Sequence, residues 1–174
     1  QDISGWDTSK VESMPGMFQS NSKFNQNIGK WDVGKVTSIN SMFNNATSFD
    51  NGGSSDISGW VTNSVTTMSS VFKNTNFNQP IGNWDTSIVT DMGSMFFDCS
   101  FNQNIGKWDV GKVTTMQNMF GANGAFNNYG SSDISGWDTS SLQTATLMFQ
   151  NAVVFNQPIG NWNTSNVNIT AGMF

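Results

Sequence analysis

Few residues in this chain could do chemistry, and their types already narrow what that chemistry could be. Its 174 residues include no histidine, a single cysteine at Cys99, and twelve carboxylates against seven cationic side chains, all lysine. Without histidine there is no commonest general base, no commonest metal ligand, and no Ser-His or Cys-His dyad. One cysteine rules out an internal disulfide framework and a multi-cysteine metal site. Five of the twelve carboxylates recur in one context: Asp7, Asp32, Asp85, Asp109 and Asp138 each follow a tryptophan. General acid–base catalysis needs two carboxyl groups in unlike environments, and a uniform row supplies the opposite. No D-x-D-x-D-G loop is present for calcium. The expectation is a protein that is not an enzyme, with no catalytic residues, cofactor or metal.

The net charge of −5 comes without clustered lysines. That argues against nucleic acid as a partner, since neutralising phosphates needs a basic patch, and equally against an anionic membrane surface. No window has the length and apolarity of a transmembrane helix or a signal peptide, so no membrane insertion is expected within this segment. Covalent modification is a remaining option: Asn45-Ala46-Thr47, Asn163-Thr164-Ser165 and Asn168-Ile169-Thr170 are N-glycosylation sequons, making Asn45, Asn163 and Asn168 possible acceptors.

What must position these groups is a repeat. Trp6, Trp31, Trp60, Trp84, Trp108, Trp137 and Trp162 are 25, 29, 24, 24, 29 and 25 residues apart. An isoleucine stands three before each tryptophan, a valine or leucine five after it (Val11, for example), and a phenylalanine twelve after it (Phe18). A period in the twenties signals a solenoid whose units cannot bury their apolar faces alone. Extra Gly, Ser and Asn in FDNGGSSDISGW and FNNYGSSDISGW lengthen two turns and mark surface loops. They recur every third turn, so a period of 77 to 78 overlies the basic one, and FNQNIGKWDVGKV appears identically at 24–36 and 101–113. The chain is one solenoid domain, 1–174, of seven Trp-centred repeats that includes a duplicated three-turn block.

Within a unit, Val11, Met14, Met17 and Phe18 fall at i, i+3, i+6 and i+7, the spacing of a short helical face. The Asp, Thr or Ser before it suits a helix N-cap. The other half, F-N-Q-x-I-G-x-W, reads as a short strand and a turn, one rung of a parallel sheet. At about 4.8 Å per rung, seven rungs span roughly 35 Å. Asn25, Asn78, Asn102, Asn127 and Asn156 then form a structural ladder whose amides satisfy the backbone of adjacent turns. The seven tryptophans form a core column, and Cys99, in a slot that holds Ala46 and Ala152 in other units, reads as a buried substitute for alanine.

W-D-[TV]-[SG]-x-V-T-x-M-x-x-M-F followed by F-N-Q-x-I-G-x-W-D resembles the tandem repeat of the BspA-like leucine-rich-repeat surface proteins, over essentially the whole chain. The resemblance implies a leucine-rich-repeat-like solenoid displayed outside the cell or on its surface, with adhesive or surface-coat roles, and carries over no catalytic residue. Gln1 is the tail of an F-N-Q and Phe174 closes an M-F, so the repeats are expected to continue beyond both ends or to stack head to tail. The functional expectation is a non-enzymatic extracellular structural or adhesive protein, in or forming an elongated stalk or filament, with copies of itself as partner. The alternative is a surface-displayed module that binds a glycan or protein.

Overall fold

In each unit two slots, five and nine residues after the recurring valine, decide the path of the chain. They hold Gly16 and Ser20, Ser41 and Asn45, Ser70 and Asn74, Ser94 and Asp98 in the first four units, all with φ between 48° and 61°. Left-handed backbone is sterically costly for most L-residues and least so for Gly, Asn and Asp. Of the 14 non-glycine residues with positive φ, only Ala122, Tyr129 and Leu147 are not Ser, Asn or Asp.

The computed structural model describes residues 1–174. The left-handed slots break the segment after the valine into successive turns: Met42 N–H bonds the Ile39 carbonyl and Asn44 N–H that of Ser41, both at 3.0 Å. Between these, every second N–H leaves the unit. Met14, Gly16, Phe18 and Ser20 donate to the carbonyls of Ser38, Asn40, Met42 and Asn44 in the next unit, at 2.7–2.9 Å. The same pattern runs from Met68, Ser70, Phe72 and Asn74 to Asp91, Gly93, Met95 and Phe97, and onward along the stack.

The expected helical segment is therefore absent. An α-helix sends each N–H to its own chain four residues back, and a left-handed residue every fourth position prevents that. The spacing i, i+3, i+6, i+7 is produced by successive turns. The expected strand is also displaced. Parallel bridging occurs two residues after the valine, in the chain Ser38, Thr67, Asp91, Thr115, Thr144 and Ile169, as isolated bridges and never as a run. F-N-Q-x-I-G-x-W makes no such bridge. The helical elements are four 3-10 segments, all in the two inserts: η1 (Asn51–Gly53), η2 (Ser55–Gly59), η3 (Asn128–Gly130) and η4 (Ser132–Gly136). The protein is thus a repeat protein with regular aromatic spacing and almost no regular helix or strand.

The core is a single cluster running through the units. Its axis is a double file of phenylalanines. Within a unit Phe18 lies face to face with Phe24, Phe43 with Phe49, Phe72 with Phe77 and Phe120 with Phe126, centroids 3.7–3.8 Å apart. Between units Phe18, Phe43, Phe72, Phe96, Phe120, Phe149 and Phe174 follow one another at 5.6–5.9 Å. Each pair adds about 0.5–1.5 kcal/mol to the burial of its rings. Close packing also fixes glycines: a Cβ on Gly29 would overlap Asp56 of the next unit, and one on Gly106 would overlap Asp133.

Phe96 stacks on Phe72, Phe101 and Phe120 and is fully buried. Phe96→Ala should cost about 3–5 kcal/mol in urea unfolding, whereas Val61→Ala, at an exposed side chain, should cost less than about 1 kcal/mol. Equal losses would show that the phenylalanine file does not hold the units together.

Candidate functional site

The F-N-Q half of each unit joins its neighbour through side chains. Asn25 Oδ1 accepts from the N–H groups of Asp50 (2.8 Å) and Gly52 (2.9 Å). Asp50 Oδ1 accepts from Asn78 N–H, Asn78 Oδ1 from Asn102, Asn102 Oδ1 from Asn127 and Tyr129, and Asn127 Oδ1 from Asn156, at 2.8–3.0 Å. The five asparagines thus lie in one column, with Asp50 as a sixth member that a search for asparagine alone passes over. The signal for it was its place directly after Phe49.

Two asparagines that sequence reasoning did not single out are more deeply placed. Asn51 is fully buried; its Oδ1 accepts the Ile28 N–H at 2.9 Å, and its Nδ2 donates to the Ser54 carbonyl and to Asp56 Oδ1. Asn128, 77 positions later, is fully buried too, accepting from Ile105 N–H and donating to the Ser131 carbonyl. Each pins an insert to the turn before it. The available signal was their identical position in the two inserts.

The tryptophans divide by depth and by stacking. Trp31, Trp60, Trp84, Trp108, Trp137 and Trp162 are buried, while Trp6 is 50% exposed. Rings stack in three pairs, Trp6 on Trp31, Trp60 on Trp84 and Trp137 on Trp162, at 5.7–6.0 Å. Trp31, Trp60, Trp84, Trp108 and Trp162 each donate Nε1–H to the carbonyl of the isoleucine in the preceding unit, from Ile3 to Ile134, at 2.9–3.3 Å.

The aspartates after the tryptophans are each occupied locally. Asp7, Asp32, Asp85, Asp109 and Asp138 accept the N–H two residues on, at 2.9–3.0 Å. These are Asx turns, and no helix follows them. The hydroxyl and N–H of Ser87 hold the Asp85 carboxyl below its ordinary value, and Ser9 and Ser140 do the same for Asp7 and Asp138. No group of three His, Cys, Asp or Glu side chains converges to hold a metal ion. Cys99 is buried, with Sγ 3.4 Å from the Phe77 carbonyl and from Thr75 Oγ1. Burial pushes its thiol up to about 11, so it is a thiol and not a nucleophilic thiolate at neutral pH.

The sequon asparagines occupy unlike surroundings. Asn163 and Asn168 are exposed, whereas Asn45 is half-buried in a left-handed backbone position, its Oδ1 accepting from Asn74 Nδ2. Asn168 borders a polar groove of about 550 Å³ with Thr114, Gln143 and Asn166. A second polar groove, of about 360 Å³, lies beside the second insert, between Tyr129 and the side chains of Asn83, Gln103, Asn104 and Lys107. Tyr129 was not a sequence-derived candidate. Its signal was the one apolar difference between the two inserts, where Gly52 stands in the first.

Tandem units with regularly spaced aromatics, joined rung to rung by backbone and amide bonds, define a tandem-repeat protein. The chain belongs to the family described as Mycoplasma protein of unknown function, DUF285, whose profile matches residues 1–75, 51–132 and 73–174. No curated protein and no solved structure shows a significant match.

Asn51→Leu removes the partner of the buried Ile28 N–H and should destabilise the chain by about 2–4 kcal/mol in urea unfolding. Asn128→Leu should do the same. A loss below about 0.5 kcal/mol for both would mean that the inserts are not pinned this way.

Acid should act through the lowered aspartates. At Asp56 burial raises the carboxyl, but hydrogen bonds from Asn27, Ser54 and Asn51 together outweigh it and leave the value lowered. A carboxylate lowered in the folded state contributes stability that is present above its unfolded value and lost as pH falls through the folded one. The urea midpoint should therefore be level from about pH 7 to 5 and fall below about pH 4. Asp56→Ala should weaken that fall; an unchanged acid limb in this variant would exclude Asp56 from it.

Proposed function

We propose that this chain is a non-enzymatic structural or adhesive repeat protein of the cell surface or extracellular space, acting as part of an elongated stalk or filament. One observation carries the reading: the two faces of a unit differ, since most inter-unit backbone bonds after the valine run forward and few, as Thr37 N–H to the Glu12 carbonyl, run back. In unit after unit three or four N–H groups donate to carbonyls of the following unit, as with Met92, Ser94, Phe96 and Asp98 donating to Thr115, Gln117, Met119 and Gly121. The forward face of any rung therefore fits the backward face of any other. An interface of that kind is heterologous, and a heterologous interface related by translation does not close. Further repeats of the same chain, or further copies, extend such a stack.

Other features agree with this reading. The aspartates after the tryptophans accept bonds within their own turns and Cys99 is buried, which supports a role other than catalysis. The likeness of the unit to BspA-like leucine-rich-repeat surface proteins supports both the solenoid kinship and the location outside the cell. Exposed Asn163 and Asn168 fit a glycosylated surface in a host that modifies such sequons.

Electron microscopy of the native material together with the intact mass tests the proposal. Fibres should diffract with a meridional reflection near about 4.8 Å, the rung spacing. A weaker one near about 14–15 Å should mark the insert carried by every third rung. The intact mass distinguishes a long tandem chain from stacked short copies. Discrete particles of one short chain at every concentration would overturn the filament reading.

A further inference from the structure

We infer that the groove beside Tyr129 is a binding site for a neutral saccharide, with the Tyr129 ring as its stacking face. The two inserts provide an internal comparison. Asn102 Oδ1 accepts the Tyr129 N–H at 3.0 Å, as Asn25 Oδ1 accepts the Gly52 N–H, so both backbones are held identically. Both are left-handed, φ 54° at Tyr129 and 64° at Gly52. Glycine takes that conformation freely, while a bulky side chain there is strained. Tyr129 gains no burial in exchange, since it is 71% exposed. Strain carried by an exposed side chain marks a residue kept for what it touches.

What it touches fits a sugar. The groove's volume, about 360 Å³, lies in the range of roughly 300–1,000 Å³ of small-ligand sites. Its walls combine one aromatic face with amides, the pairing that meets the apolar C–H face and the hydroxyl rim of a pyranose. The amides are preset: Gln103 Nε2 is held by the Asn78 carbonyl, which leaves its Oε1 as an acceptor, and Asn104 is held by Gly106 N–H and Asp133. Asn83 and Ser58 line the same groove. Seven of the eight lining residues are uncharged, Lys107 being the exception, and uncharged hydrogen-bonding groups are what a neutral ligand would meet.

The site does not depend on end-to-end extension, and its test is separate. The whole chain is titrated with cellotriose, chitotriose and maltotriose, followed by amide chemical shifts, with sialyllactose as the acidic comparison. At least one neutral trisaccharide should bind saturably at millimolar concentration and shift residues 102–107 and 128–130. Tyr129→Gly should lower that affinity about tenfold or more while leaving Tm equal or higher, because glycine relieves the backbone. Tyr129→Phe should retain binding. Should Tyr129→Gly unfold early, Tyr129→Asn, which also accepts left-handed φ, decides in its place. Absence of binding by all three neutral sugars, binding of sialyllactose alone, or unaltered affinity in the ring-less variant would overturn the proposal. A chain that forms no filament yet binds the sugar would sink only the preceding one.

Discussion

The whole structure depends on backbone groups being satisfied by the neighbouring unit. Of 73 backbone hydrogen bonds only 4 lie within regular elements. In most proteins a helix or a sheet closes these bonds locally and packing comes afterwards. Here a unit taken alone would leave the N–H groups of Phe43 and Asn45 and the carbonyls of Met42 and Asn44 without partners. No unit can then be stable by itself, and stability becomes a sum over unit-to-unit interfaces, the one-dimensional behaviour of repeat proteins. Left-handed Ser and Asn residues make this possible by turning alternate N–H groups outward.

The apolar core follows from that constraint. Hydrogen bonding fixes the translation between units, so equivalent side chains must repeat along the stack at nearly that translation. A flat ring tolerates such a repeat where a branched aliphatic chain would leave gaps, because inclined rings slide over each other without opening voids. Phe49 shows the result: it faces Phe43 at 3.7 Å within its unit and meets Phe24 at 5.7 Å and Phe77 at 5.9 Å in the flanking ones. The methionines, as Met42 and Met95, fill the remaining irregular space. Scarce leucine and abundant phenylalanine are therefore one consequence of a short, fixed rise.

The repeat itself was fully legible in the sequence, because burial must recur with the unit and the aromatic positions record it. Its local conformation was legible only in part. Apolar residues at i, i+3, i+6 and i+7 fit one face of a helix and fit a series of four-residue turns equally well. The residues between them separate the two: Pro15-Gly16 is a turn signal, and Ser41, Ser70, Ser94 and Asn118 fill the same slot with residues that tolerate positive φ and favour turns. Reading the apolar positions alone assigned a helix where the parallel bridges lie. The side-chain column is the reverse case, since asparagine at a fixed offset has few other uses in a stacked structure. Asn51 and Asn128 were hidden because a buried amide in a Gly- and Ser-rich insert looks like any other polar loop residue.

Duplication of the three-turn block separates constraint from freedom. Asn51 and Asn128 are the same residue because each completes the hydrogen bonds of an isoleucine N–H in the turn beneath. Gly29 and Gly106 are the same because the following insert leaves no room for a Cβ. Lys30 and Lys107 are also the same, although both are exposed, and I-to-I+3 spacing does not require lysine there; recent copying explains this identity without any physical demand. Identity between the copies is thus weak evidence of function, while difference is informative. Gly52 and Tyr129 differ in the direction opposed by backbone energetics, at a position whose N–H bond to the preceding asparagine is the same in both copies. Tyrosine at 129 therefore carries a backbone cost that glycine at 52 does not, in a turn held by equivalent bonds.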